Sequence, residues 1–128
     1  MKELVLDTNV FSHRAFCDWL KLGKAKASIS AISYTELLYH SLKKGETKEF
    51  LNAFLQALHV EVVDYDKEQA EIASNSAIGR WDFKIHARDY MIVSLALKRN
   101  CLFVTSNKKD FKWMRPTDIV TPEEVIKI

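Results

Sequence analysis

Short apolar runs alternate along this chain with longer segments of helical period, and that alternation says most about its architecture. Leu4-Val5-Leu6 predicts a buried strand over residues 3–6. Val10, Phe11, Ala15, Phe16, Trp19 and Leu20 then recur near helical spacing over 10–22, with Gly23 as the stop. A second strand is expected at 27–30. The helix after it, over 31–42, lines up Ile32, Leu37, Leu38 and Leu42 and closes at Lys43-Lys44-Gly45, as basic residues and a glycine favour. Phe50, Leu51, Phe54, Leu55 and Leu58 mark an amphipathic helix over 49–58, and residues 60–63 a third strand. Helices are expected over 67–80 and 87–99, joined by an irregular link at 81–86. Strands at 102–105 and 119–120 and a short helical run at 122–126 complete the chain. Parallel strands need crossovers, and strands covered on both faces read as continuous apolar runs. The expected fold class is α/β: one domain over residues 1–128, with a central, mostly parallel sheet of four or five strands flanked by helices. Residues 90–97 are apolar nearly all round, which predicts a central helix.

Composition narrows the chemistry. With 128 residues and 48% hydrophobic content, the chain can bury one core. Nineteen Lys and Arg against seventeen Asp and Glu leave a net charge of +2, too little to grip nucleic acid by charge alone. Cys17 and Cys101 show no metal-ligand spacing and read as small buried hydrophobes, which suits a reducing compartment. No run has the length of a signal peptide or a membrane span, so a cytoplasmic protein without membrane association is expected. The four histidines lack ligand spacing. With three glycines there is no phosphate-binding loop, dinucleotide fingerprint or nucleophile elbow.

Four acids stand where apolar strand-like runs give way to helices: Asp7, Glu36, Asp89 and Asp110. Each has an ordinary structural explanation. Asp7, Thr8 and Asn9 are good helix N-caps, and Ser33-Tyr34-Thr35-Glu36 matches a capping box. Asp89 suits a first helical turn, and Asp110 a turn. Capping, however, does not require convergence, whereas a parallel sheet brings all four to its carboxyl edge, where open α/β folds bind ligands. Carboxylates gathered there repel one another, and a hard divalent cation, Mg²⁺ or Mn²⁺, relieves the repulsion. Such a site is suited to phosphodiester hydrolysis.

The segments Leu6-Asp7-Thr8-Asn9, Ile32-Ser33-Tyr34-Thr35-Glu36-Leu37, Asp89-Tyr90-Met91-Ile92 and Val104-Thr105-Ser106-Asn107-Lys108-Lys109-Asp110-Phe111 resemble, in order and spacing, those of PIN-domain ribonucleases, and most of all the VapC toxins of toxin-antitoxin pairs. The resemblance spans nearly the whole chain. It implies an endoribonuclease dependent on Mg²⁺ or Mn²⁺, with Asp7, Glu36 and Asp89 holding the metal and Asp110 as a fourth, more variable acid. Thr8, Asn9, Thr105 and Asn107 would orient the ligands or the substrate, and hydrolysis would use a metal-activated water without a covalent intermediate. Asn107 stands where many relatives carry an acid, and His40 where a glycine often follows the Glu-Leu pair. The implied partners are RNA, a VapB-like antitoxin whose arm crosses the toxin, and a second copy of the chain in a homodimer.

Basic residues cluster at Arg80, Lys84 and Arg88, at Lys98-Arg99, and at Lys108, Lys109, Lys112 and Arg115, where they can draw RNA toward an acidic metal site. Arg80 and Lys108 are the expected phosphate contacts, and Trp81, Phe83 and Trp113 can stack bases unless they fill the core. Phe11, Phe16, Trp19, Tyr39, Phe50 and Phe54 can leave an apolar groove for a partner segment. Two other readings stay open: a PIN nuclease of RNA processing without an antitoxin, and a receiver-like or binding module without nuclease activity. Against the receiver, Asp7 has no acidic neighbour.

Overall fold

The computed structural model describes residues 2–128. Five parallel strands form one sheet in the order β3-β2-β1-β4-β5: β1 Lys2–Leu6, β2 Ala25–Ser30, β3 Val60–Val63, β4 Leu102–Val104 and β5 Ile119–Val120. Six α-helices flank them: α1 Arg14–Lys21, α2 Ala31–Lys43, α3 Lys48–Ala57, α4 Lys67–Ala77, α5 Phe83–Arg99 and α6 Pro122–Lys127. The α/β reading is borne out, with every strand pair parallel.

The continuous apolar run of β1 is explained by burial on two sides. Leu4 and Leu6 enter one core with Phe16, Leu20, Leu51, Leu55 and Val125. Val5, pointing the other way, joins Ile92, Leu95, Phe103, Phe111 and Ile119 in a second core. Helix α5 backs this second core through Ile92, Val93, Leu95 and Ala96, as its all-round apolarity predicts. Cys17 is buried and free; Cys101 is half-buried and free, its thiol pushed up to about 11 mainly by that burial.

Beyond shifts of one or two residues at strand and helix ends, three departures from expectation have a local cause. The helix expected over 10–22 is divided into a 3-10 turn, Thr8–Ser12, and α1, because His13 is extended and its Nδ1 accepts from Phe16 N at 3.1 Å. Helix α4 stops at Ala77: Ile78 is extended and Gly79 takes a φ of +83°, where a side chain would be strained. Helix α5 begins at Phe83 but has non-helical backbone at His86, so its regular part opens at Ala87, where the sequence predicts it.

Candidate active site

Chain order reverses between β1 and β4: β2 and β3 lie on one side of β1, while β4 and β5 lie on the other. A crevice forms at such a reversal beyond the carboxyl ends of the strands. Asp7 follows β1 and Thr105 follows β4, so both stand at its mouth. The backbone places Asp7, whose N–H donates to the Val104 carbonyl at 2.9 Å, and the residue is only 4% exposed. Asp7 Oδ1 accepts from Thr8 N at 2.8 Å, so the N-cap explanation of this residue also holds. Asp7 Oδ2 accepts from Thr105 Oγ1 at 2.9 Å and from Asn9 Nδ2 at 3.4 Å. The Thr105 hydroxyl in turn accepts from Asn9 Nδ2 and from Asn107 N, while Asn9 Oδ1 accepts from Ser106 N. Thus Thr8, Asn9 and Thr105 orient the carboxylate.

Glu36 and Asp89 reach the same crevice from helices. Helix α2 leaves β2 without a loop, and Ser30 Oγ caps it by accepting from Ile32 N. The Ser33/Glu36 capping box therefore does not form. Ser33 lies inside the helix with its buried Oγ unpartnered, and Glu36 is free to face the crevice. Asp89 sits in the first regular turn of α5. His86 Nδ1 lies 3.3 Å from Asp89 Oδ2. Burial raises the Asp89 carboxyl above the usual carboxylate range, although Arg88 and His86 pull it back.

One cation joins the three acids. Arg88 donates from Nε to Glu36 Oε1, from Nη1 to Asp89 Oδ1 at 2.9 Å, and from Nη2 to Asp7 Oδ1 at 3.3 Å and Thr8 Oγ1 at 3.1 Å. Burial opposes its charge, but Glu36, Asp7 and Asp89 outweigh burial and raise the guanidinium above its ordinary value. Hard, anionic oxygens facing one positive centre are donors suited to Mg²⁺ or Mn²⁺. Among the described residues, however, no three acids, histidines or cysteines stand close enough to enclose an ion, and the guanidinium lies between them. The donor chemistry fits a divalent cation, while the present spacing fits an arginine.

Asp110 is not part of this arrangement. It is exposed, in the 3-10 turn Lys108–Phe111, and accepts from Asn107 Nδ2 at 2.6 Å. It lines an open cleft of about 460 Å³ together with Arg80, Trp81, His86, Lys109 and Lys112. Arg80 holds its guanidinium 5.7 Å from the Trp113 ring centroid and stays at the cleft. Lys108 pairs with Glu124 Oε1 at 2.6 Å. Of the aromatics, Trp113 packs on Tyr90 with centroids 4.7 Å apart and Phe83 stacks on the same ring at 6.2 Å, whereas Trp81 is 90% exposed. Sequence reasoning missed the place of Arg88, which it grouped with the RNA-facing cations, and that of His86. The only signals were adjacency to Asp89 for Arg88 and an i,i+3 spacing to it for His86.

The model of the PIN domain family matches residues 4–115. No curated protein matches the chain. Among solved structures, a toxin-antitoxin complex from Klebsiella pneumoniae is similar at 22% identity and a TM-score of 0.72, covering 93% of this chain and 97% of that one. VapBC2 from Rickettsia felis, bound to a DNA fragment from its promoter, is similar at 22% identity and 0.69, covering 93% and 98%. DNA-bound VapBC from Salmonella typhimurium is similar at 24% identity and 0.66, covering 95% and 99%. At these identities the likeness establishes a shared fold. The family match over most of the chain, with a carboxylate-lined crevice at the sheet's reversal point, places this protein in the PIN domain family.

Proposed function

We propose that this protein is an endoribonuclease dependent on Mg²⁺ or Mn²⁺, acting as the toxin of a VapBC-type pair. The observation that carries the reading is the convergence of Asp7, Glu36 and Asp89 on a single guanidinium at the switch point of a PIN fold. These three side chains would hold the ion, and Asp110 becomes a fourth donor only if its bond to Asn107 is exchanged. When bound, a divalent ion supplies charge neutralisation at the phosphodiester and lowers the pKa of water there. The remaining work belongs to the chain itself. Thr105 and Asn9 fix the Asp7 carboxylate, and His86 Nδ1 orients Asp89. Arg80, Lys109 and Lys112 along the cleft neutralise the RNA backbone, and exposed Trp81 offers a face for an unpaired base.

An antitoxin segment would use a second surface. Phe11, Leu37, Phe50, Leu51 and Phe54 line a cleft of about 240 Å³, with Phe50 exposed and Phe11 packed edge-on to Phe54. Phe16 and Trp19, stacked on each other, pack in or against the core instead. Self-association through exposed Ile78 and Ile85 belongs to the same reading. No helix among the described residues is long and apolar enough to cross a membrane.

The test is RNA cleavage by purified protein with Mg²⁺ or Mn²⁺, and its loss in Asp7→Asn. Losing a ligand that contributes several kcal/mol of transition-state stabilisation lowers the rate on the order of 10²-fold or more. Circular dichroism should show a folded variant, because asparagine can still accept from Thr8 N. Full activity in folded Asp7→Asn removes the proposal.

A further inference from the structure

Arg88 uses all three guanidinium nitrogens on the acids. A guanidinium presents its donors around the rim of a planar fork, so carboxylates bonded to different nitrogens are held apart. A small ion demands the reverse, with its ligand oxygens drawn to about 2.1 Å from one centre for Mg²⁺. The two arrangements exclude each other, in keeping with the lack of any ion-enclosing group of acids, histidines or cysteines among the described residues. Nothing covalent fixes Arg88 in place. Its side chain is half-buried, and it sits two residues after the non-helical backbone of His86, whose ring also lines the basic cleft. With 37% of its side chain exposed, Arg88 already reaches solvent and can turn outward.

We infer that Arg88 is a built-in counter-ion of the acidic triad, which a divalent cation must displace, so that this residue sets how tightly the chain binds metal. The inference rests on the metal-dependent reading above and adds to it a determinant of affinity supplied in cis. Where the binding-competent state is a minor fraction, apparent affinity falls by that fraction. Removing the guanidinium removes the competition. Its loss also strips three acidic side chains of their shared partner, so the metal-free protein should lose stability that the metal restores.

The experiment is calorimetric titration of Mn²⁺ into wild type, Arg88→Met, Arg88→Gln, Arg88→Lys, Arg80→Met and Asp89→Asn, with thermal melts with and without Mn²⁺. Arg88→Met and Arg88→Gln should bind Mn²⁺ at least about tenfold more tightly than wild type. Arg88→Lys, which keeps a cation, should stay nearer wild type. Both neutral variants should melt below wild type without metal and regain the difference with it; if Arg88→Met does not fold, Arg88→Gln carries the comparison. Arg80→Met removes a neighbouring cation outside the triad and should change affinity little; an equal gain there means a general field effect and overturns the inference. Unchanged or weaker binding in both neutral variants, with Asp89→Asn losing Mn²⁺, overturns the inference and leaves the metal site standing. Binding by Asp89→Asn as tight as wild type takes down both together.

Discussion

The crevice is built from two unlike halves. Asp7 and Thr105 project from the ends of adjacent strands, where the ladder fixes the backbone and five side-chain hydrogen bonds tie Asp7, Asn9, Thr105, Ser106 and Asn107 together. Arg88 and Asp89 stand on the first regular turn of α5, just after a break in the helix. Glu36 resembles them: half-buried on α2, it is bonded to Arg88 and does not cap its own helix. The strand-borne acid is braced by several donors besides Arg88, whereas among the described residues Glu36 is bonded to Arg88 alone and Asp89 to Arg88 and His86. On the proposed reading, one half preorganises a metal ligand and the other adjusts to what binds.

The difference depends on how firmly α5 is held, and Tyr90 is the main anchor. The ring is fully buried between Trp113 and Phe83, and its hydroxyl donates to Asp82 Oδ1 at 2.8 Å across the break in the helix. Tyr90→Ala should cost about 3–5 kcal/mol, as other buried aromatic truncations do. Urea unfolding measures this. A cost below 1 kcal/mol would mean the entry to α5 is held elsewhere and that the adjustable half is not anchored through this ring.

On the strand-borne side, Thr105→Val keeps the shape but deletes the hydroxyl that donates to Asp7 and accepts from Asn9 and Asn107. Leaving a buried carboxylate oxygen short of a donor costs about 1–3 kcal/mol. If Asp7 holds metal, loss of its supporting partner lowers metal affinity by about 10–100-fold. Mn²⁺ titration beside urea unfolding reads both. Wild-type affinity in this variant would show that Asp7 needs no such bracing, and the contrast between the halves would lose its chemical content.

The sequence disclosed the two halves unequally, for physical reasons. Asp7 was legible because the end of a buried strand is a local signal, and the parallel sheet then dictates which edge it occupies. Glu36 carries a competing local explanation that does not hold. Ser33-x-x-Glu36 looks like a capping box, yet β2 runs directly into α2, so the helix starts at Ala31 and the box lies inside it. The same pattern at Thr121 and Glu124 does form a capping box, because there the chain leaves a strand through proline. Arg88 was hidden for a different reason. Adjacent helical residues diverge around the axis, so spacing rules give no warning that Arg88 and Asp89 meet the same acids. A long side chain at the first turn of a helix can fold back to do so, and only tertiary structure brings Glu36 within its reach.

The far end of α5 offers the smallest test of the contrast. There Lys98 pairs with Asp66 and Glu68 in open solvent, and Asp66 also caps α4 by accepting from Gln69 N at 2.8 Å. The hydrogen bond from Lys98, then that from Gln69, lowers the Asp66 carboxyl, while the bond to Asp66 raises the Lys98 ammonium. A lowered carboxyl stabilises the fold above its unfolded value of about 3.9 and loses that contribution as pH falls through the lower folded value. A raised ammonium stabilises below about 10.4 and loses its share as pH climbs through the higher folded value. The pair therefore contributes across the neutral range and fades at both extremes. Lys98→Met should lower the urea midpoint slightly at pH 7, with the gap closing toward pH 2, and added salt should shrink the neutral gap because the pair is exposed. A gap that holds steady from pH 7 to pH 2 would instead assign the effect to packing of the lysine stem. In that case both ends of α5 would be held by contact, and the dependence on a bound cation would belong to the Arg88 end alone.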